Sequence, residues 1–187
     1  MANRNIFKKH CNLFIKNKKQ NVLIERYDDN YYISDGFTLL RVPDFIYNTA
    51  VRPLSSMFIP LENKQGAVRR AGDILPEIKA GYNTTLHDCF TRYEATQTAE
   101  ITPFVYNPVN DPKVYIRLVN LQNGKPMTYN DIYIEAVLEY CGTLSATADR
   151  FPVLKWEDPA SGLACMVLPV NNKPCFSSIN LFWRFAE

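Results

Sequence analysis

Apolar and polar positions near the start of the chain alternate with two periods, first helical and then strand-like. Between residues 5 and 17, Ile6, Phe7, Leu13 and Phe14 fall near one helical face, which predicts an amphipathic first helix. Residues 21–27 then alternate as a strand does, and 31–34 and 37–42 are predicted as the next two strands, with turn signals at 28–30 and at Asp35-Gly36 between them. The first part of the chain therefore predicts a helix followed by three strands.

The same order returns in the last third. The pattern predicts a helix after Asn130, which can cap it, and Gly142 is suited to end it. A strand around 152–157, an acidic turn at Asp158-Pro-Ala-Ser-Gly162 and an apolar strand at 163–170 follow. Between the two parts the periodicity fades, so we expect residues 61–110 to form a connection with short elements and one strand at 101–106.

These patterns predict one α+β domain over residues 1–187. Its parts are a first repeat at about 1–60, the connection at 61–110, a second repeat at about 111–170 and a tail at 171–187. A chain of this length buries a substantial core, and its 47% hydrophobic and 21% charged residues are ordinary for a globular domain.

The distribution of charged residues is informative only at the start of the chain. The net charge is +2, too small for a global nucleic-acid signature, but no acidic residue precedes Glu25. One interpretation is a solvated helix face and a basic turn. The other is a surface that faces phosphate groups, and its candidate DNA-binding residues are Lys8, Lys9, Lys16, Lys18 and Lys19.

Cysteine content and hydropathy indicate a cytoplasmic protein without a membrane span. The five cysteines are odd in number and form no C-x-x-C pair, as expected of reduced thiols. The N-terminus lacks the apolar core of a signal peptide, and no apolar run approaches the roughly 20 residues that a membrane helix needs.

Two short motifs and one helix entry resemble parts of the bacterial DNA polymerase sliding clamp family, the processivity factors of replication. Residues 34–39, Ser-Asp-Gly-Phe-Thr-Leu, are similar to the family's Thr-Asp-Gly-His-Arg-Leu. Residues 167–170, Val-Leu-Pro-Val, resemble its closing Val-Met-Pro-Met-Arg, and 128–130 resemble the aromatic-Asn entry to its second helix. The resemblance implies a domain of two helix-plus-strands repeats, with antiparallel sheets and the helices on one face.

The resemblance also implies a pocket for linear peptides carried by polymerases and other replication proteins. Because adjacent domains supply the two motifs in clamps, we expect them to meet here only across a subunit interface, in a homo-oligomer. A shallow apolar groove suits an extended peptide with two large apolar anchors. The implied pocket residues are Gly36, Phe37, Leu39, Met166, Leu168 and Pro169.

The chain departs from the family in its second helix and in its tail. The second helix carries Asp131, Glu135 and Glu139 without a cation, which is the wrong sign for facing phosphate. The tail contains Ser-Ile-Asn-Leu-Phe at 178–182, similar to the polar-Leu-spacer-Leu-Phe form of clamp-binding peptides. It is either a docking peptide for a clamp pocket or a C-terminal element packed on its own core.

Motifs of common catalytic chemistry are missing from the sequence, so we expect no enzyme, cofactor or metal site. His87-Asp88-Cys89 is the one stretch that suggests a nucleophile, and in a strand His87 and Cys89 would share a face. His10-Cys11 reads as helix packing. Aromatic residues near the basic segment could stack on single strands, or be core pairs.

We therefore expect a non-enzymatic protein that associates with double-stranded DNA or scaffolds replication proteins. A structural or interaction protein of a phage or mobile element, without DNA binding, is the alternative. A small enzyme with unrecognised chemistry is a further one.

Overall fold

The computed structural model describes residues 6–16, 22–55, 58, 69–70, 85–108, 113–124, 126–138, 143–170 and 181–183, without side chains at 6–8, 69–70 and 181–183. Its first half begins with the predicted helix and three strands. The elements are α1 (Ile6–Lys16), β1 (Leu23–Tyr27), β2 (Asn30–Ser34), β3 (Thr38–Pro43), α2 (Asp44–Ile46), a π-helical turn (Tyr47–Val51), a 3-10 turn (Arg52–Leu54), β4 (Arg69–Arg70) and α3 (Leu86–Arg92).

The second half repeats the helix-then-three-strands order after a further meander. The elements are β5 (Gln97–Tyr106), β6 (Ile116–Leu121), β7 (Pro126–Asn130), α4 (Asp131–Leu138), β8 (Thr143–Ala146), β9 (Leu154–Asp158), β10 (Leu163–Val167) and β11 (Leu181–Trp183). Asn130 Oδ1 accepts a hydrogen bond from the Ile132 amide at 3.2 Å, so the predicted cap of α4 is confirmed.

The described strands form one antiparallel sheet, which confirms the predicted α+β class. Its order is β4-β1-β2-β3-β10-β9-β8-β5-β6-β7, and β11 pairs with β5. The last strands of the two meanders, β3 and β10, pair at the centre, and the two helices that precede these meanders, α1 and α4, contact each other. The sheet thus joins the two helix-plus-strands units through their final strands.

Helices cover both faces of the sheet, so the expectation of helices on one face is wrong. The main core lies beneath α1 and α4, where Cys11, Phe14 and Ile134 pack against side chains such as Ile33 and Leu40. The opposite face carries a second apolar cluster beneath α3. The reason is visible in β10, where all five residues are buried: a strand that is apolar on both faces needs cover on both.

The connection predicted at 61–110 contributes more regular structure than its sequence suggests. It contains α3 and the ten-residue strand β5, which begins at Gln97 rather than at 101. Residues 97–101 alternate between half-buried and exposed positions, with the β-branched Thr98 and Ile101 among them, and this weak period of two is a strand signal. The tail forms the strand β11 on β5 of its own chain, in line with the second of the two interpretations given to it.

Candidate functional site

The two clamp-like motifs lie side by side within one chain. Leu39 is opposite Met166 in the β3–β10 pairing, and the Leu168 amide donates to the Phe37 carbonyl at 2.9 Å just beyond the strands. The expectation that these motifs meet only across a subunit interface is therefore wrong. Pairing of the last strands of the two repeats is sufficient to bring them together.

The turn between β2 and β3 is held rigid by its own side chains. Asp35 Oδ1 accepts the amides of Phe37 and Thr38, both at 2.9 Å, and Ser34 Oγ donates to the Thr38 carbonyl at 2.7 Å. Gly36 has φ +89°, a conformation that L side chains rarely adopt. The turn is thus fixed before any ligand arrives and presents the Phe37 side chain to solvent.

Helix α4 supports this turn from the side of the main core. The buried hydroxyl of Tyr133 donates to Asp35 Oδ2 at 2.7 Å, and its ring stacks against Phe37 with centroids 6.2 Å apart. Burial, followed by the Asp35 carboxylate, raises the pKa of Tyr133, so the hydroxyl stays a donor. The exposed Phe37 ring is therefore held in place by Tyr133, which stacks against it and also fixes Asp35, the first residue of the same turn.

The segment that follows β10 is held from its other side by β7. The Val170 amide donates to the Thr128 carbonyl at 2.8 Å, and Thr128 Oγ1 donates to the Val170 carbonyl at 3.0 Å. Residues 168–170 are thus fixed between the Phe37 turn and β7. A peptide would meet a preformed surface here.

Exposure divides the six predicted pocket residues. Phe37 is 49% exposed and Leu168 39%, whereas Leu39 is 8% and Met166 3% exposed. Leu39 and Met166 belong to the second cluster, under Leu86 and Phe90 of α3. Gly36 is exposed and Pro169 half-buried. The open part of the predicted pocket is therefore its Phe37–Leu168 edge.

The candidate DNA face on α1 is only partly described. Lys9 Nζ donates to the Glu135 carbonyl on α4 at 3.4 Å, and Lys16 is exposed at the helix end. The Lys8 side chain and the whole of Lys18 and Lys19 lie outside the described residues. On the inner side of α1, His10 and Cys11 are fully buried, which confirms the packing interpretation. DNA binding by these lysines stays a prediction.

The acidic residue at the start of α4 has a partner inside the protein. Asp131 is 2% exposed, and its Oδ1 accepts a hydrogen bond from Arg117 Nε, while Arg117 Nη1 donates to the Thr102 carbonyl at 3.1 Å. This charge therefore does not face the solvent. Arg117 is itself only 7% exposed, so each member of the ion pair satisfies the buried charge of the other.

The stretch His87-Asp88-Cys89 lies in α3, not in a strand. Residues two apart on a helix do not face each other, so His87 and Cys89 do not share a face. The His87 ring stacks on Tyr27 with centroids 3.7 Å apart, and burial raises the pKa of the Cys89 thiol. A thiol with a raised pKa is a poor nucleophile at neutral pH.

Sequence reasoning missed Glu25, a fully buried carboxylate in β1. Its Oε2 accepts the His87 amide at 3.0 Å in the first turn of α3. Burial raises its pKa, and bonds from the His87 and Leu86 amides oppose this effect. The sequence signal for this site was an acidic residue, Glu25, on the same strand face as Leu23 and Tyr27.

Comparison with protein-family models, with curated proteins and with solved structures found no match to this chain. What is established is the α+β class and the meeting of the two motifs. Within the part of the chain that the structure describes, the helices are too short or too polar to cross a membrane. The described side chains also contain no cluster of three or more His, Cys, Asp or Glu suited to a metal ion.

Proposed function

We propose that this protein is a non-enzymatic, clamp-like docking protein that binds linear peptides of replication proteins. The binding site is the surface formed by the Asp35–Leu39 turn and the Val167–Val170 segment. A peptide with large apolar anchors contacts Phe37 and Leu168 there. Association with double-stranded DNA through the α1 lysines, in a homo-oligomer, belongs to the same proposal.

One observation carries the proposal: the hydrogen bond of 2.9 Å from the Leu168 amide to the Phe37 carbonyl. It joins two motifs that resemble the halves of one peptide pocket, and an exposed apolar side chain stands on each side of it. The turn and the segment are both fixed by further hydrogen bonds. A preformed apolar surface loses little entropy when it binds an extended peptide.

The repeat of helix and three strands supports the clamp-like part of the proposal. The α1 and α4 helices lie together on one face of a sheet whose central strands, β3 and β10, end the two repeats. A single domain of this size cannot encircle DNA, so a ring requires several copies. Light scattering at micromolar concentration gives the mass, and a strictly monomeric protein would contradict the ring.

Binding of a labelled synthetic peptide, Gln-Leu-Ser-Leu-Phe, tests the peptide site by fluorescence anisotropy. We expect saturable binding that Phe37→Ser and Leu168→Ser each weaken by about tenfold, as for anchor contacts at an interface. Both side chains are exposed, so the fold tolerates the changes.

Phe45→Ser is the matched control, because Phe45 is 67% exposed and lies beyond the Pro43 end of β3, whereas the Phe37 turn precedes its Thr38 end. This variant should bind as the unchanged protein does. Absence of saturable binding to the unchanged protein, or equal weakening by Phe45→Ser, would refute the proposed site.

A further inference from the structure

From the position of α3 over the second cluster, we infer that α3 is the chain's own occupant of the inner half of the peptide site. It covers Leu39 and Met166, so full engagement of a peptide requires that α3 is displaced. This inference rests on the proposed function and adds a self-inhibiting contact to it.

Helix α3 covers the sheet with two apolar side chains one turn apart. Leu86 and Phe90 are 8% and 1% exposed, and both pack in the cluster that contains Leu39 and Met166. Side chains at positions i and i+4 lie on the same helix face, about 6 Å apart along its axis. Two apolar anchors on one short segment are also what a docking peptide presents.

The Phe90 ring lies in a recess with charged walls. On three adjacent strands, Ala164 lies between Arg41 and Glu157. The small side chain of Ala164 leaves room for the Phe90 ring. The Arg41 guanidinium is 5.1 Å and Lys155 Nζ 4.5 Å from the ring centroid, an arrangement suited to cation–π attraction. The recess thus fits an aromatic anchor.

Helix α3 is attached along one face. Leu86 and Phe90 pack in the second cluster, and His87 stacks on Tyr27 and donates its amide to Glu25. The helix is seven residues long, a length at which a helix is marginal without tertiary contacts. Asp88, Thr91 and Arg92 are exposed, and the cluster beneath α3 is separate from the main core. Its start is stabilised locally, because Thr85 and Asp88 form a reciprocal capping box. Displacement of α3 therefore leaves the main core intact.

The test compares peptide affinity in variants that loosen or strengthen α3. Phe90→Ala removes its main anchor, so we expect the Kd for Gln-Leu-Ser-Leu-Phe to fall by about tenfold or more, since the apparent Kd varies inversely with the fraction of open sites. Thr91→Ala raises the helix propensity of α3, and we expect binding about twofold weaker. Should Phe90→Ala fail to fold, the double variant Thr85→Ala, Asp88→Ala loosens α3 without touching the core.

Two controls separate this effect from general destabilisation. Leu121→Ala removes a buried side chain of the main core, and Thr49→Ala removes an exposed threonine whose hydroxyl bonds to a carbonyl four residues earlier, as Thr91 does. Neither should change the peptide Kd. Hydrogen exchange of the amides of residues 86–92 should accelerate in Phe90→Ala and on addition of peptide.

The results of these experiments distinguish the role of α3 from the existence of the docking surface. Equal peptide affinity in the unchanged protein and in Phe90→Ala, with faster exchange in α3, overturns the role of α3 and leaves the docking surface standing. Equal tightening by Leu121→Ala overturns it as well. No binding by any variant refutes the docking surface itself, and the role of α3 with it.

Discussion

The hydroxyl of Tyr133 donates a hydrogen bond to Asp35 Oδ2 at 2.7 Å, and so joins α4 to the turn that begins β3. The two residues are 98 positions apart in the chain. Both are buried, and Asp35 uses its other oxygen for the amides of its own turn. One carboxylate therefore fixes both the shape of the turn and its position against the main core.

Tyr133→Phe should lower the free energy of unfolding by about 1.5–3 kcal/mol, because it removes a buried hydrogen bond to a charged group. Urea denaturation followed by circular dichroism measures the change. Peptide affinity should fall as well, since the Phe37 turn loses its support. Tyr93→Phe, at a half-buried ring of the second cluster, is the control and should change stability less.

The Arg117–Asp131 pair should show strong coupling in a double-mutant cycle. Asp131→Leu or Arg117→Met alone leaves a buried charge without its partner and should cost about 3–5 kcal/mol. The double variant Arg117→Met, Asp131→Leu should cost less than either, because no charge remains to be buried. Additive losses in denaturation experiments would contradict the pairing.

His10 should make the protein less stable in acid. Burial, helped by the charge of Lys9, lowers the pKa of His10 from 6.5 to about 3. The unfolded chain therefore takes up a proton that the folded state excludes, and stability is lost as pH falls from 6.5 toward 3. The loss from this residue reaches about 1.4 kcal/mol per pH unit. His10→Gln should flatten the stability profile over this interval, and an unchanged slope would contradict the assignment.

Glu25, in contrast to His10, should make the protein less stable as the pH rises. Burial raises its pKa above the ordinary value of 4.5, so the folded state holds the proton more tightly than the unfolded chain. Stability from this group is present below 4.5 and is lost as pH rises through the raised value. The stability of Glu25→Gln relative to the unchanged protein should therefore increase with pH across that interval. A constant difference would contradict the shift.

Binding to duplex DNA should depend steeply on salt if α1 is the DNA face. Removing two phosphate contacts in the double variant Lys9→Glu, Lys16→Glu should reduce the slope of log K against log salt by about 2. Arg92→Glu is the control, because Arg92 ends α3 on the opposite face of the sheet. Absent or salt-insensitive binding would exclude the DNA face.

The sequence pattern correctly predicted the elements whose ends are marked by cap or turn residues. The caps and turns at Asn130, Asp35-Gly36 and Asp158–Gly162 fix α4 and the strand pairs β2–β3 and β9–β10 through short-range bonds. Helix α3 was not predicted because seven residues show too little periodicity, and its place depends on the apolar outer face of β10. The meeting of the Phe37 and Leu168 motifs was not predicted either, since it follows from a pairing between distant strands.

The central β3–β10 pairing also affects how the chain folds. Thr38 pairs with Val167, so β3 cannot complete its pairing until a strand much later in the chain has been synthesised. Contacts between residues this far apart slow folding, because a long loop must close before any of them forms. Until then the edge of β3 is open to pairing with other chains. We expect a folding phase in milliseconds to seconds, and a protein whose yield on refolding falls as its concentration rises.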